Sequence, residues 1–334
     1  MADLSTKYMG LELKSPIIVG SSGLTDKAEK IEKLEKSGAG AVVLKSIFEE
    51  EILLEYEDVL QHEAPGRYKD DYLDYFDYKI KETNIENYIN LIVDSKKKVE
   101  MPVIASINCA SSHEWSYFAK KIQEAGADAV ELNVFILPSD LNRSAEEVER
   151  IYLEIIQMVR NEIKIPVAIK MSPYFANLSA FLQEISRTNI AAIVLFNRTY
   201  NPDIDIEKLE VTSSNVLSDP HDISRSLRWI ALMANRVQCD LAASTGIHSG
   251  EAVVKQLLAG ATVTQVVSVL YEKGPEYLKQ ITDDMKEWMK RKDFQSVDDF
   301  RGMLSQEKAV NPSLYERVQF MKYFSDKEKY SEKT

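Results

Sequence analysis

The chain of 334 residues has few cysteines, few histidines and no long apolar segment, and each scarcity excludes a class of protein. Its two cysteines, Cys109 and Cys239, do not make a disulfide scaffold. The four histidines have no mutual spacing typical of metal ligands, so we expect no bound metal. No segment approaches the ~18 consecutive apolar residues that indicate a membrane helix.

The chain also lacks an excess of positive charge. Its 41 basic and 53 acidic residues give a net charge of −12, which disfavours binding to nucleic acid or to an anionic membrane surface. The first residues, MADLSTKYMG, have neither the charged nor the apolar region of a signal peptide. We therefore expect a cytoplasmic protein whose partner is a small-molecule substrate.

What the sequence does have is a series of eight short apolar runs, rich in Val, Ile, Ala and Leu. The runs are nearly continuous rather than alternating, as expected of strands buried on both faces. They are SPIIVG, AVVLKS, PVIASIN, AVELNVF, PVAIKM, AAIVLFN, DLAAST and VTQVVSV. Segments with apolar residues at three- and four-residue spacing alternate with them and predict helices. This alternation predicts an α/β fold, a (β/α)8 TIM barrel with parallel strands.

Two of the connecting segments are oversized, one after the second strand and one after the sixth. They run from Ser46 to Met101 and from Asn197 to Asp240. Because extra length after the C-terminal end of a strand lies on the active-site face, we predict that these extended loops contact substrate or cover it. We assign the barrel to residues 1–290, and a C-terminal helical extension with a charged tail to residues 291–334.

Polar residues close the apolar runs, and in a parallel barrel those positions form the active site. The loops after the seventh and eighth strands commonly bind a phosphate through backbone N–H groups. Gly246 and Gly250 would allow the close approach that a phosphate needs. The alternative is that both loops are only tight turns.

Lys170 lies at the end of the fifth run, where a buried ammonium needs an anionic partner. Three interpretations remain open from the residue type alone. The lysine can contact a flavin, whose reduced form it stabilises. It can be a Schiff-base nucleophile, as in barrel aldolases. It can simply pair with Glu131 on a neighbouring strand.

Several motifs, in order and at suitable spacing, resemble the dihydroorotate dehydrogenase family, nearest to its soluble class 1 branch. They are SPIIVGSSG, GAGAVVLKS, ELN, PVAIKMSPYF, VLFN, STGIHSGEAVVKQLLAGAT and QVVSVLYEKGP, and they span roughly residues 5 to 285. The resemblance implies an FMN-containing (β/α)8 barrel that forms a homodimer. It also implies an oxidoreductase that converts dihydroorotate to orotate in pyrimidine biosynthesis.

The strand ends and the matched motifs together predict an FMN site. The predicted residues are Ser21, Ser22, Gly23, Lys45, Ser46, Asn108, Asn133, Lys170, Asn197, Thr245, Gly246, Ser268 and Val269. Lys45, Asn133, Asn197 and Arg198 are the predicted substrate contacts. Two loops depart from the family pattern: Thr245 replaces the first glycine of Gly-Gly-Ile, and Ser268-Val269 replaces Gly-Thr.

The catalytic loop departs further. The family places a cysteine or serine base in an Asn-x-Ser-(Cys/x)-Pro-Asn loop after the fourth strand. This chain reads NVFILPSD over residues 133–140, and none of its Phe, Ile and Leu side chains can accept a proton. Ser139, Asp140 and Cys109 are the candidate replacements.

The loop after the second strand also departs from the family, which carries Asn-x-Met-Gly-Leu-x-Asn there to hold the pyrimidine. The segment Tyr68–Tyr78 instead contains four aspartates among its aromatic residues, a poor environment for an anionic orotate. We expect it to pack on the barrel rim as a solvated helix or loop. Arg198 either binds a substrate carboxylate or pairs with one of these aspartates. Besides an oxidoreductase, a Schiff-base lyase that uses Lys170 and a non-catalytic flavoprotein remain possible functions.

Overall fold

The computed structural model describes residues 2–48, 70–108, 114–198, 202–213 and 216–316. Side chains are described for these residues except 48, 70–82 and 114. Cys109 lies outside the described residues, as do Tyr68 and the side chains of the predicted acidic-aromatic segment.

Eight parallel strands close into a barrel, as the apolar runs predict. In chain order the strands of the structure are β1 Thr6–Tyr8, β2 Leu11–Leu13, β3 Ile17–Val19, β4 Ala41–Val43, β5 Ile47–Phe48, β6 Val103–Asn108, β7 Ala129–Asn133, β8 Val167–Met171, β9 Ala192–Leu195, β10 Pro202–Asp205, β11 Glu210–Ser213, β12 Asp240–Ser244 and β13 Val263–Val266. The barrel order is β3-β4-β6-β7-β8-β9-β12-β13, and β13 pairs with β3 to complete the ring. The side chains of the central strands are buried, which explains why their sequences are continuously apolar.

Helices cover the outside of the barrel. They are α1 Ala28–Lys36, α2 Asp70–Lys98, α3 Glu114–Glu124, α4 Ala145–Glu162, α5 Leu178–Ile185, α6 Ile223–Met233, α7 Gly250–Ala259, α8 Ser268–Lys273, α9 Tyr277–Lys292 and α10 Ser313–Glu316. The first turn of α4 has a capping box, in which Ser144 and Glu147 each bond the other's backbone N–H. Ser249 caps α7 by accepting from the N–H of Ala252. None of the described helices combines the length and apolar character that a membrane crossing requires.

The two oversized connections carry secondary structure of their own. After β4, the short strand β5 pairs with β6, and the 29-residue helix α2 follows. The backbone of Asp70–Tyr78, within the acidic-aromatic segment, is helical. After β9, strands β10 and β11 form an antiparallel hairpin with Ile204 opposite Val211. The extra length therefore follows strands 2 and 6 of the barrel, as expected.

The two ends of the barrel are built differently. An antiparallel hairpin of β1 and β2 closes the N-terminal end, where Tyr8 and Met9 pack on interior residues such as Ile18. The N–H of Met9 donates to Asp240 Oδ2 at 2.7 Å and so attaches the hairpin to the first residue of β12. The opposite end carries the polar strand termini.

The segment after α9 packs on the outside of the barrel. Its backbone bonds that of two helices, with Gly302 donating to Leu257 and Gln306 donating to Ala231. Phe300 is buried and lies edge-on to Trp288, with ring centroids 4.9 Å apart. The described part of this segment consists mainly of turns, and a domain boundary at residue 290 stays a prediction.

Candidate active site at the C-terminal end of the barrel

A cavity of about 480 Å³ opens at the C-terminal end of the barrel. Its walls combine hydroxyl, amide and cationic groups with a few apolar side chains. They are Ser21, Ser22, Lys170, Asn197, Arg198, Val216, Leu217, Ser218, Ser244, Thr245, Gly246, Ile247, Gln265, Val267, Ser268 and Tyr271. A volume in this range is typical of pockets for small ligands and cofactors.

Lys170 supplies a positive charge at the inner wall of this cavity. Its Nζ donates to Gln265 Oε1 at 2.8 Å and lies 3.5 Å from Glu131 Oε1. The ion pair with Glu131 that the sequence left open is therefore formed, and Lys170 lines the cavity at the same time. Among the described residues, no cluster of His, Cys, Asp or Glu could hold a metal ion.

The turn after β12 forms a second wall and has an uncommon backbone. Thr245 and Gly246 both have positive φ, 77° and 76°. Glycine adopts this region freely, whereas a threonine side chain is strained there. A Cβ on Gly246 would lie 2.1 Å from the backbone N of Ile223, so the turn packs directly on the start of α6. The backbone at position 246 therefore requires glycine, and Thr245 has a backbone conformation that threonine disfavours.

A chain of hydrogen bonds links three polar side chains on the wall next to this turn. Ser218 donates from its backbone N–H and from its hydroxyl to Ser268 Oγ, at 2.8 and 2.9 Å. The Ser218 hydroxyl also lies 3.1 Å from His248 Nε2, and His248 Nδ1 is 3.7 Å from Glu272 Oε2. Since Ser268 Oγ accepts both bonds from Ser218, its own proton is available to the cavity.

On the opposite side, three serine hydroxyls connect the ends of β3, β4 and β6. Ser21 Oγ is 3.0 Å from Ser46 Oγ, which is 2.7 Å from Ser106 Oγ. Tyr88 of α2 anchors the buried end, because its hydroxyl accepts from the N–H of Ser106 at 2.8 Å. Burial raises the pKa of Tyr88, so this hydroxyl stays neutral. The long helix of the first insertion thus supports one wall of the cavity.

Three of the predicted substrate residues, Asn133, Asn197 and Arg198, are already engaged with protein groups. The side chain of Asn197 donates to Asn133 Oδ1 at 2.9 Å. Arg198 donates to Asp222 Oδ2 and to the carbonyl of Leu217, each at 2.7 Å. Arg198 pairs with Asp222 of the second insertion, and the expected pairing with an aspartate of Tyr68–Tyr78 falls on side chains outside the described residues and stays a prediction.

The loop after β7 presents no proton acceptor to the cavity. Tyr152 holds it to α4, since its hydroxyl donates to the carbonyl of Val134 at 3.2 Å and accepts from the N–H of Ile136 at 3.4 Å. Burial raises the pKa of Tyr152 to about 12, so it is a structural donor rather than a base. Ser139 and Asp140 are exposed and do not line the cavity.

The structure brings seven of the predicted FMN residues to one cavity. These are Ser21, Ser22, Lys170, Asn197, Thr245, Gly246 and Ser268. Ser46 and Asn133 lie directly behind the wall, bonded to Ser21 and Asn197. The remaining four do not line it: Gly23, exposed Lys45, Asn108 and buried Val269.

Sequence reasoning missed other lining residues, above all Gln265 and the Val216–Ser218 stretch. Gln265 lies inside an apolar run, and its polarity there was the one signal that could have singled it out. The length of the insertion over residues 197–240 predicts that it contacts or covers the substrate, but no pattern near residues 216–218 indicates which part of it reaches the cavity.

Comparison with known proteins agrees with this architecture. Residues 77–289 match the family model described as dihydroorotate dehydrogenase. A relative from Thermoplasma acidophilum, named dihydroorotate dehydrogenase B (NAD(+)), catalytic subunit, is 27% identical over 91% of this chain and 99% of its own length. Relatives with the same name from Pyrococcus horikoshii and Methanocaldococcus jannaschii are 26% and 23% identical, each over 90% of this chain and 97% of their own. The chain therefore belongs to the dihydroorotate dehydrogenase family, a family of barrel oxidoreductases that generally bind FMN.

Proposed function

We propose that this chain binds FMN in the cavity at the C-terminal end of its barrel and oxidises a small molecule there. One observation carries the proposal: Lys170 places a cation in the wall of a cavity whose other walls are the polar ends of the barrel strands. Bound FMN would supply a hydride acceptor, and a cation beside the flavin ring favours its reduced form.

The residues present fit FMN in three respects. The cavity has the size typical of a cofactor pocket. The hydroxyls of Ser21, Ser22 and Ser268 and the amide of Asn197 offer hydrogen-bonding groups around Lys170. The turn at Thr245 and Gly246 lies where barrels commonly bind a phosphate, after the seventh strand. Of the other predicted residues, Ser46 and Asn133 would hold Ser21 and Asn197 in place.

For the substrate we propose a small molecule other than, or in addition to, dihydroorotate. Family members oxidise dihydroorotate with the help of a base, and the loop of residues 133–140 offers the cavity none. Arg198 would bind a substrate carboxylate only by giving up part of its bonding to Asp222 and Leu217. Lys45, exposed after β4, remains a candidate for substrate contact, whereas Asn133 would act on the substrate only through Asn197, to which it is bonded.

The loop of residues 133–140 offers the cavity no base, and this supports a second candidate function: a flavoprotein that binds FMN but has no turnover on its own. The Schiff-base alternative is less well supported, because Lys170 Nζ is held between Gln265 and Glu131 rather than directed freely into the cavity. Borohydride distinguishes a flavoprotein from a Schiff-base lyase. If the chain is a flavoprotein, borohydride should trap no covalent adduct of Lys170 with a carbonyl substrate. A trapped adduct on Lys170, absent from Lys170→Met, would restore the lyase.

The proposed cofactor is tested by reconstitution. Protein incubated with FMN and passed through a desalting column should retain about one FMN per chain, released on denaturation. Lys170→Met should retain less, whereas Lys255→Met, a change of an exposed lysine on α7, should retain as much as the unmodified chain. Absence of flavin binding in the unmodified protein would refute the proposal.

We also propose that the chain forms a homodimer through the β10–β11 hairpin. Ile204, Ile206, Leu209 and Val211 are all exposed there, and apolar groups gathered on one protrusion are typical of subunit interfaces. Light scattering should give twice the mass of one chain. The paired change Ile204→Glu and Val211→Glu should give a monomer, and a monomeric unmodified protein would contradict this proposal.

A further inference from the structure

Glu131 is a buried carboxylate directly beneath the cavity. It lies on β7, is 1% exposed and does not itself line the cavity. Its neighbours Lys170 and Gln265, 8% and 2% exposed, do line it. A buried charge is costly to the folded protein unless it is paired, so a position such as this calls for a specific reason.

The three side chains form a directed network. Lys170 has only donors, so the Gln265 oxygen must face it, and the amide nitrogen of Gln265 then donates to Glu131 Oε2. The other carboxylate oxygen, Oε1, lies 3.5 Å from Lys170 Nζ and accepts no hydrogen bond from the described residues. Gln265 therefore determines which way the lysine points, and Glu131 determines which way Gln265 points.

We propose that Glu131 is a positioning residue that controls, through Gln265, the positive potential that Lys170 exerts in the cavity. The carboxylate fixes the ammonium at the wall and offsets part of its charge. This inference rests on the proposed FMN site, where the potential decides how strongly the reduced, anionic flavin is favoured over the oxidised, neutral one. Glu131 thus weakens the preference for reduced flavin that an unpaired lysine would create.

The test compares the affinities of Glu131→Gln and the unmodified protein for reduced and oxidised FMN. Glutamine keeps an oxygen that can accept from Gln265 but removes the negative charge. The ratio of affinities, reduced over oxidised, should rise by about tenfold or more, which is about 30 mV for a two-electron couple. Asp240→Asn is the matched control: it removes a half-buried carboxyl at the N-terminal end of the barrel and should leave the ratio unchanged.

A double substitution tests whether Glu131 acts through the lysine. Lys170→Met alone should lower the ratio. The double variant should match Lys170→Met, because Glu131 acts by positioning the lysine, and without the lysine its substitution has nothing left to reposition. An unchanged or lowered ratio in Glu131→Gln, or additive effects in the double variant, would overturn the proposal.

Failure of the unmodified protein to bind FMN and misfolding of Glu131→Gln can each be distinguished from an unchanged affinity ratio. If the unmodified protein binds no FMN, the proposed function is refuted, and the inference about Glu131, which rests on it, is refuted with it. If Glu131→Gln does not fold, as circular dichroism would show, Glu131→Asp replaces it. Aspartate keeps the charge but withdraws it by one methylene from Gln265, and the ratio should rise by a smaller factor; no rise would overturn the proposal in the same way.

Discussion

The loop after β7 predicts slow oxidation of dihydroorotate, and the substitution Ile136→Cys tests this most sharply. Family members carry a cysteine or serine base in that loop, where this chain has Phe135, Ile136 and Leu137. Tyr152 fixes the backbone of the loop at Val134 and Ile136, so position 136 is held in a defined place. A thiol introduced there is presented from an ordered backbone.

The magnitude follows from what a base contributes. General-base assistance is typically worth 10²–10⁴-fold in rate, which is about 3–5 kcal/mol of activation free energy. Because Ile136 does not line the cavity, a thiol at this position is less well placed for a bound substrate than a base in the cavity wall. We therefore expect Ile136→Cys to raise kcat for dihydroorotate by a factor near the lower limit, about 10².

The assay is anaerobic reduction of bound flavin by dihydroorotate, followed by visible absorbance in a stopped-flow instrument. Ile136→Ala is the matched control, since it shortens the side chain without supplying a base, and it should stay as slow as the unmodified protein. Dithionite should reduce the flavin equally well in all three proteins. Fast reduction of the unmodified protein by dihydroorotate would refute the reasoning, and alanine at Ser139, Asp140 and Cys109 in turn would then identify the base.

Three further predictions concern the cavity and the barrel. Lys170→Met should lower the reduction potential of bound FMN, measured against redox dyes, because the reduced anion loses its counter-charge; an unchanged potential would place the flavin elsewhere. Thr245→Gly should raise the free energy of unfolding in urea by about 1 kcal/mol, because glycine relieves the strain of the positive φ at this position. Gly246→Ala should lower the free energy of unfolding, because the added Cβ meets the backbone of Ile223. Changes of the opposite sign would contradict the backbone strain at this turn. Burial raises the pKa of Tyr8 well above its usual value of 10.0 and that of Tyr152 to about 12, so both stabilise the fold fully below pH 10 and less as pH rises beyond it. Thermal denaturation should show that loss. Tyr8→Phe should reduce it without lowering stability at neutral pH, because the buried Tyr8 hydroxyl has no hydrogen-bond partner within the described part of the chain.

The barrel strands could be predicted from sequence because their signal is local. A strand buried on both faces must be apolar at every position, and eight such runs alternate with amphipathic helices. The N-terminal hairpin gives no such signal, since each of its strands has only three residues. The β10–β11 hairpin is also hidden, because its sequences PDID and EVTS are largely polar and exposed.

The site was predictable only where a polar residue closes a strand. Lys170, Asn197 and Thr245 stand out in that way, and the structure gathers them at one cavity. Gln265 is different, because its role depends on which side chains of β13 face the barrel interior, and that follows from strand register. Ser218 and its bond to Ser268 depend on how a long insertion folds back, which no local pattern encodes.

The most direct test of the proposed cofactor site is the visible absorbance spectrum of the purified protein, with the spectrum of the supernatant after denaturation. A cavity built around Lys170 predicts a yellow protein that releases about one FMN per chain on denaturation. After the flavin has been removed from the folded protein, added FMN should bind again. A colourless protein that stays without flavin after incubation with excess FMN would contradict it.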